Sequence, residues 1–138
     1  MCLTAPKEGS LKVATEPVKV YKVITEDSKA PFYTSYVYHQ GMNIATGRQM
    51  ISDCPEYIII KSEPWVIIEG GFLHACTDYD VACHIRNECN YLCDAYNAQP
   101  RNCHVVEMYI PAGTKYYEFM GEVASPVLEW KQAPDPHQ

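Results

Sequence analysis

Apolar positions recur along this chain with two periods, and the change of period marks its elements. After Thr77 the residues Val81, Ala82, Ile85, Cys89, Leu92, Cys93 and Tyr96 return at spacings of three and four, while Arg86, Asn87, Asn90 and Asp94 fall largely opposite. That is the one-sided stripe of a helix lying on a core. Thr77 stands where a side-chain oxygen can accept from the first-turn amides, and Asp80, three residues on, where a capping-box acid sits. Asp78 complements the positive end of the helix dipole. The helix is expected from about Asp78 to Tyr96, and the stretch Asn97 to Asn102, with Pro100, ends it.

Elsewhere the pattern is that of strands. Val18, Val20 and then Val23-Ile24 alternate with polar residues in a β-favouring run, and Glu26 to Pro31 reads as a polar turn. Phe32 to His39, rich in aromatic and β-branched residues, is a second extended segment closed by Gln40-Gly41. The pattern weakens from Met42 to Asp53, which reads as loop with at most a short strand. Tyr57 to Ile60 is apolar at consecutive positions, as in a strand covered on both faces, with Pro55 and Pro64 bracketing it. Trp65 to Glu69 runs into Gly70-Gly71, a pair that permits positive φ or a close backbone approach. Phe72 to Cys76 is extended and leads into the helix. After the helix, Cys103 to Ile110, Tyr116 to Phe119 and Val127 to Trp130 read as strands, with Pro111 to Thr114 a turn and Gly121 to Ser125 between. Several short strands around one principal helix (about 78–96) define an α+β domain with a mainly antiparallel sheet. The expected organisation is a flexible or draped N-terminal arm at 1–17, one domain at 18–131 and a frayed tail at 132–138.

Composition narrows the class. A chain of 138 residues fits one compact domain. With 11 basic and 17 acidic residues, net −6, it lacks the positive field that phosphate-backbone binding needs, so nucleic acid is not an expected partner. The first residues show no basic segment followed by an apolar run, and no stretch approaches the ~18 apolar residues of a membrane span. The expectation is a cytoplasmic protein that meets no membrane, in the host cytoplasm if phage encoded. Cysteine is odd in number (Cys2, Cys54, Cys76, Cys83, Cys89, Cys93, Cys103), so the thiols cannot all pair within the chain. They read first as small buried apolar residues, with a metal site or a disulfide or reactive thiol as alternatives.

Three groups of residues could carry chemistry. Cys89 and Cys93 share a helix face and could chelate an ion with Cys103 or His104, but no C-x-x-C pair exists and that face is the apolar one, so no metal is expected. His74 and Cys76 point the same way on a strand ahead of a helix, as a base and a nucleophile would, although no third group orients the His. Among Glu107, Glu118, Glu122 and Glu129 no pair is evident, and Glu122 stands out for its small neighbours Gly121 and Ala124-Ser125. Phosphate-loop, dinucleotide, nucleophile-elbow and zinc-protease motifs are absent, so no cofactor is expected. The 11 tyrosines suit half-buried strand positions and interfaces, and Tyr36 and Tyr38 fall on one strand face with Tyr33 and His39 on the other.

Gly71-Phe72-Leu73-His74-Ala75-Cys76 before a helix, Ile110-Pro111-Ala112-Gly113 at a strand end, and the closing Gly121-Glu122-Val123-Ala124-Ser125 segment resemble small uncharacterised proteins of phages and gut bacteria. Those proteins carry Gly-Phe-His-x-Cys ahead of a helix; here Leu73 lengthens that spacing by one. The resemblance spans about residues 18 to 130 and implies the fold and a phage or prophage origin, without an established chemistry. A more distant likeness is to ADP-ribosyltransferase-type folds, with Val20-Tyr21-Lys22 at the first motif and Glu122 or Glu107 at the last. It implies a nicotinamide dinucleotide held near those residues.

Two main functions are therefore expected. The first is a non-enzymatic accessory protein that binds a protein partner or small ligand through Tyr33, Tyr36, Tyr38, His74 and the loop at Gly70-Gly71. The alternative is a nucleotide- or NAD-handling enzyme using Tyr21, Lys22, His74 and Glu122. A virion or assembly component is a third class.

Overall fold

Strands that bury one face need their apolar residues at every second position, and the register of the pairs decides which of those positions meet. The computed structural model of the chain describes residues 3–6, 11–30, 36–45, 58–62, 65–68, 72–97 and 102–131. In chain order the elements are β1 (Leu3–Pro6), β2 (Leu11–Val13), β3 (Val18–Ile24), β4 (Gly41–Ile44), β5 (Ile58–Ser62), β6 (Trp65–Ile68), β7 (Leu73–Cys76), α1 (Tyr79–Asn97), β8 (His104–Ile110), β9 (Lys115–Phe119), β10 (Glu122–Ser125) and β11 (Val127–Trp130). One sheet of eight strands runs β2-β9-β10-β7-β3-β8-β11-β4, and a second of three runs β1-β6-β5. Every pairing among these strands is antiparallel, and α1 packs on β3, β7 and β8. The fold class is the α+β arrangement that the sequence pattern predicts.

Alternation sorts the core into two layers. Val20, Ile24, Leu73, Ala75, Met108, Ile110, Val123 and Leu128 are buried together on one face of the large sheet. On the other face Val23, Cys76 and Cys103 meet Ala82 and Cys89 of α1, with Tyr21, Ile85 and Val105 around them. Burying each large apolar side chain contributes roughly 1.5–3 kcal/mol, so these two layers outweigh any single polar contact.

Turn chemistry fixes how the strands enter the sheet. Met120 and Gly121, both at positive φ, form the two-residue loop between β9 and β10, the geometry whose twist matches that of paired strands. The carbonyl of Gly121 accepts from the Thr77 amide at 2.7 Å, which ties this hairpin tip to the start of α1. Thr77 therefore does not cap the helix as expected. Asp78 does: its Oδ1 accepts from the Asp80 amide at 2.8 Å and the Val81 amide at 3.4 Å, while the Thr77 hydroxyl donates to Gly121.

Other expected segments take these forms. Within the arm at 1–17, expected as flexible or draped over the domain, β1 pairs with β6, β2 pairs with β9, and Ala14 is buried and bonded to Thr114 and Gly113. The segment from Met42, expected as loop with at most a short strand, holds the short strand β4, which pairs with β11 over all four of its residues. Of the expected extended segment at 32–39, the described part makes only the isolated bridge Lys29↔Val37. The expected tail at 132–138 lies outside the described residues.

Candidate functional site

Each candidate catalytic residue sits on a strand, so register decides which of them meet. On β7, Leu73 and Ala75 turn into the large core layer, which leaves His74 and Cys76 on the helix side. Tyr21 pairs with Cys76, and Cys76 pairs with Glu122, so these three stand in one cross-strand row on that side. Glu107 extends the row beyond Tyr21. His74 lies one rung away, beside the buried Ala124, with Tyr117 beyond it. Lys22 follows Tyr21 and so faces the opposite way: its ammonium lies 5.3 Å from the ring centroid of Tyr38, a member of the large core layer. It donates to the backbone carbonyl of His74 at 2.7 Å, not to the ring. Tyr21 and Glu122 thus flank a thiol on one face, while Lys22 belongs to the other.

The electrostatics follow from burial. Desolvation lowers the Lys22 ammonium to a pKa of about 8, opposed by the nearby Cys76 thiol. His74 is lowered to about 3, first by burial and then by the Lys22 charge. Its imidazole is neutral at neutral pH, and its buried Nε2 meets no hydrogen-bond partner among the described residues. Burial pushes the Cys76 thiol up, and the carboxylates of Glu122 and Asp78 push it further, against a smaller pull from Lys22. A reactive thiolate needs the reverse setting. His74 and Cys76 share a face as expected, yet the pair is a protonated thiol beside a desolvated imidazole.

Two further groups resolve in the same way. Cys89 and Cys103 are buried in the helix-side layer and His104 is exposed, while the side chain of Cys93 lies outside the described residues. Among the described residues no group of three or more His, Cys, Asp or Glu side chains is placed to hold a metal ion. The aromatic face expected at Tyr36 and Tyr38 is turned inward. Tyr38 lies in the large core layer with Tyr36 packed edge-on at 4.9 Å, and the Tyr36 hydroxyl donates to the fully buried Asn43. Tyr33, Gly70 and Gly71 lie outside the described residues.

Among the described residues, α1 leaves part of the helix-bearing face uncovered. α1 covers the end of the sheet at Val23, Val105 and Cys103, and the other end carries the row Lys19, Tyr109, Glu129, Met42 across β3, β8, β11 and β4. Beside Met42, Ile44 pairs with Val127. Met42 is 45% and Ile44 60% exposed. Lys131 lies over the Tyr109 ring at 4.5 Å and reaches Glu129 at 3.9 Å. At the border with the helix, Tyr79 is exposed and packs edge-on against Tyr21 at 5.4 Å. Sequence reading missed Met42, Ile44 and Tyr109. The alternation of Met42 and Ile44 about Asn43 was the available signal, too short to separate from loop. No helix among the described residues is long and apolar enough to cross a membrane.

Compared with protein-family models, with curated proteins and with solved structures, the chain matches none.

Proposed function

We propose that this is a non-enzymatic interaction protein that docks a protein partner on the open half of its large sheet. The observation that carries this reading is the pair Met42 and Ile44, apolar and exposed on the last described strand of the large sheet, separated from Tyr109 by Glu129 and near Lys19, Glu107 and Lys131. An apolar and aromatic centre with a charged rim is the usual make-up of a protein interface. The raised pKa of the Cys76 thiol and the separation of Lys22 from Tyr21 and Glu122 also favour binding over catalysis. The phage accessory role implied by the sequence resemblance belongs to the same proposal.

Crosslinking in the cells that make the protein, with the wild type and with Ile44→Lys, tests it. A partner captured by the wild type and lost in the folded variant is the expected result. Equal capture by both would overturn it, as would NAD turnover that Glu122→Gln abolishes.

A further inference from the structure

The hairpin that joins β9 to β10 carries a residue that its turn geometry disfavours. A two-residue loop with both residues at positive φ prefers Asn, Asp or Gly at its first position, where a long side chain is strained. That position is Met120, at φ 52°, followed by Gly121 at φ 81°. Met120 is also 86% exposed, more than any other large apolar side chain among the described residues. Neither turn formation nor core packing therefore accounts for a methionine here. The tip is nonetheless held in place. The Thr77 amide donates to the Gly121 carbonyl at 2.7 Å, and the Thr77 hydroxyl donates to the same oxygen at 3.3 Å. An apolar anchor fixed before contact loses little freedom on binding.

Charge then selects what can sit on it. The Thr77 bonds set the tip beside the start of α1, where Asp78, Asp80, Tyr79 and Val81 are all exposed, and Glu122 follows the tip directly. Glu122 and Asp78 lie close enough together that both carboxylates push up the Cys76 thiol. Asp78, Asp80 and Glu122 make no ion pair among the described residues. No Lys, Arg or His occurs in 77–82 or 118–123. Along α1 the nearest basic side chains turn to other groups, His84 to Glu88 at 3.3 Å and Arg86 to Asn87 at 3.1 Å. Three uncompensated carboxylates around an apolar knob repel phosphate-bearing surfaces and attract cations.

We infer that the β9–β10 tip anchors a basic polypeptide segment of a partner protein, whose apolar side chains pack on Met120 while its Lys or Arg side chains meet Asp78, Asp80 and Glu122. The tip belongs to the half of the large sheet away from β4, so this surface is separate from the one proposed above and does not depend on it.

Selection of a random-peptide display library on the whole chain, followed by affinity measurement of the enriched peptides, tests this. Peptides that combine apolar residues with Lys or Arg are expected. They should lose about tenfold or more in affinity on Met120→Asn, which removes one buried methionine from the contact. Asn suits a positive φ, so that variant is expected to unfold at the same temperature as the wild type or higher, which separates lost contact from lost fold. Asp80→Asn and Glu122→Gln are each expected to weaken binding roughly threefold, and added salt to weaken it in the wild type. Val13→Asn, which removes an exposed apolar residue on β2, is expected to change nothing. A selection that yields no binder, only acidic or uncharged binders, or binders that Met120→Asn leaves at full affinity would overturn the inference. Peptides released by Ile44→Lys and kept by Met120→Asn would belong to the face proposed above and would overturn this second surface alone.

Discussion

β3 is paired on both sides, and the two sides are built differently. Toward β8 it makes seven consecutive register pairs, from Val18↔Ile110 to Ile24↔His104. Toward β7 it makes one, Tyr21↔Cys76, and next to it the Lys22 ammonium donates to the His74 carbonyl. A main-chain ladder depends little on which side chains it carries. A seam closed by a lysine depends on that one residue and on its protonation, and the desolvated His74 beside it adds a second titrating group.

The ladder side is where the largest effect is expected. Met108 is fully buried opposite Val20, so Met108→Ala should cost about 2–5 kcal/mol, read as a fall in the denaturant midpoint. A loss under about 1 kcal/mol would erase the contrast between the seams.

Next comes acid. Folded His74 stays unprotonated down to about 3, whereas the unfolded side chain takes up its proton near 6.5. The unfolded state therefore binds more protons between those values, and stability should fall as pH drops from about 6.5 toward 3, by up to about 5 kcal/mol. Comparing unfolding midpoints of the wild type and His74→Gln across that window isolates the contribution, which should vanish in the variant.

The smallest of the three effects lies in base. Lys22 loses its proton near 8 in the folded chain and near 10.5 when unfolded. Below 8 the ammonium is charged in both states and the cost of burying it is fully present. Stability should then rise with pH from about 8 toward 10.5, by up to about 3 kcal/mol. Lys22→Met should flatten this rise. Lys12→Met should keep it, because the Lys12 ammonium meets Glu118 at the surface. A rise that survives Lys22→Met would show that the seam does not depend on the lysine.

How much was legible varies with how local each cause is. α1 could be read to within a residue because its stripe and its acidic first turn lie within one short segment. Its cap was misplaced by one position, since Thr77 and Asp78 are chemically alike as caps and the bond from Thr77 to Gly121, 44 residues away, decided between them. β4 was hidden because it has four residues, and what holds it is remote. Asn43 bonds the Leu128 carbonyl, 85 residues on, and fixes His39 and Tyr36 beside it. The tyrosine excess did not say which tyrosines would be buried. Alternation placed Tyr36 and Tyr38 on one face without saying which face the core would take, while Tyr109 reached the open surface through its pairing with Glu129 and Lys19.

By itself the sequence determined the elements: where apolar residues repeat at three and four, where they repeat at two, and where glycine or proline breaks the run. It also carried the absence of a phosphate loop or dinucleotide fingerprint and the acidic balance. Tertiary structure decided which residues became neighbours. Tyr21, Cys76 and Glu122 form a row, Lys22 faces the other way, and Met42 and Ile44 end exposed on the last described strand of the large sheet, because strand register brings together positions as far apart as Leu11 and Tyr117 that no local period records.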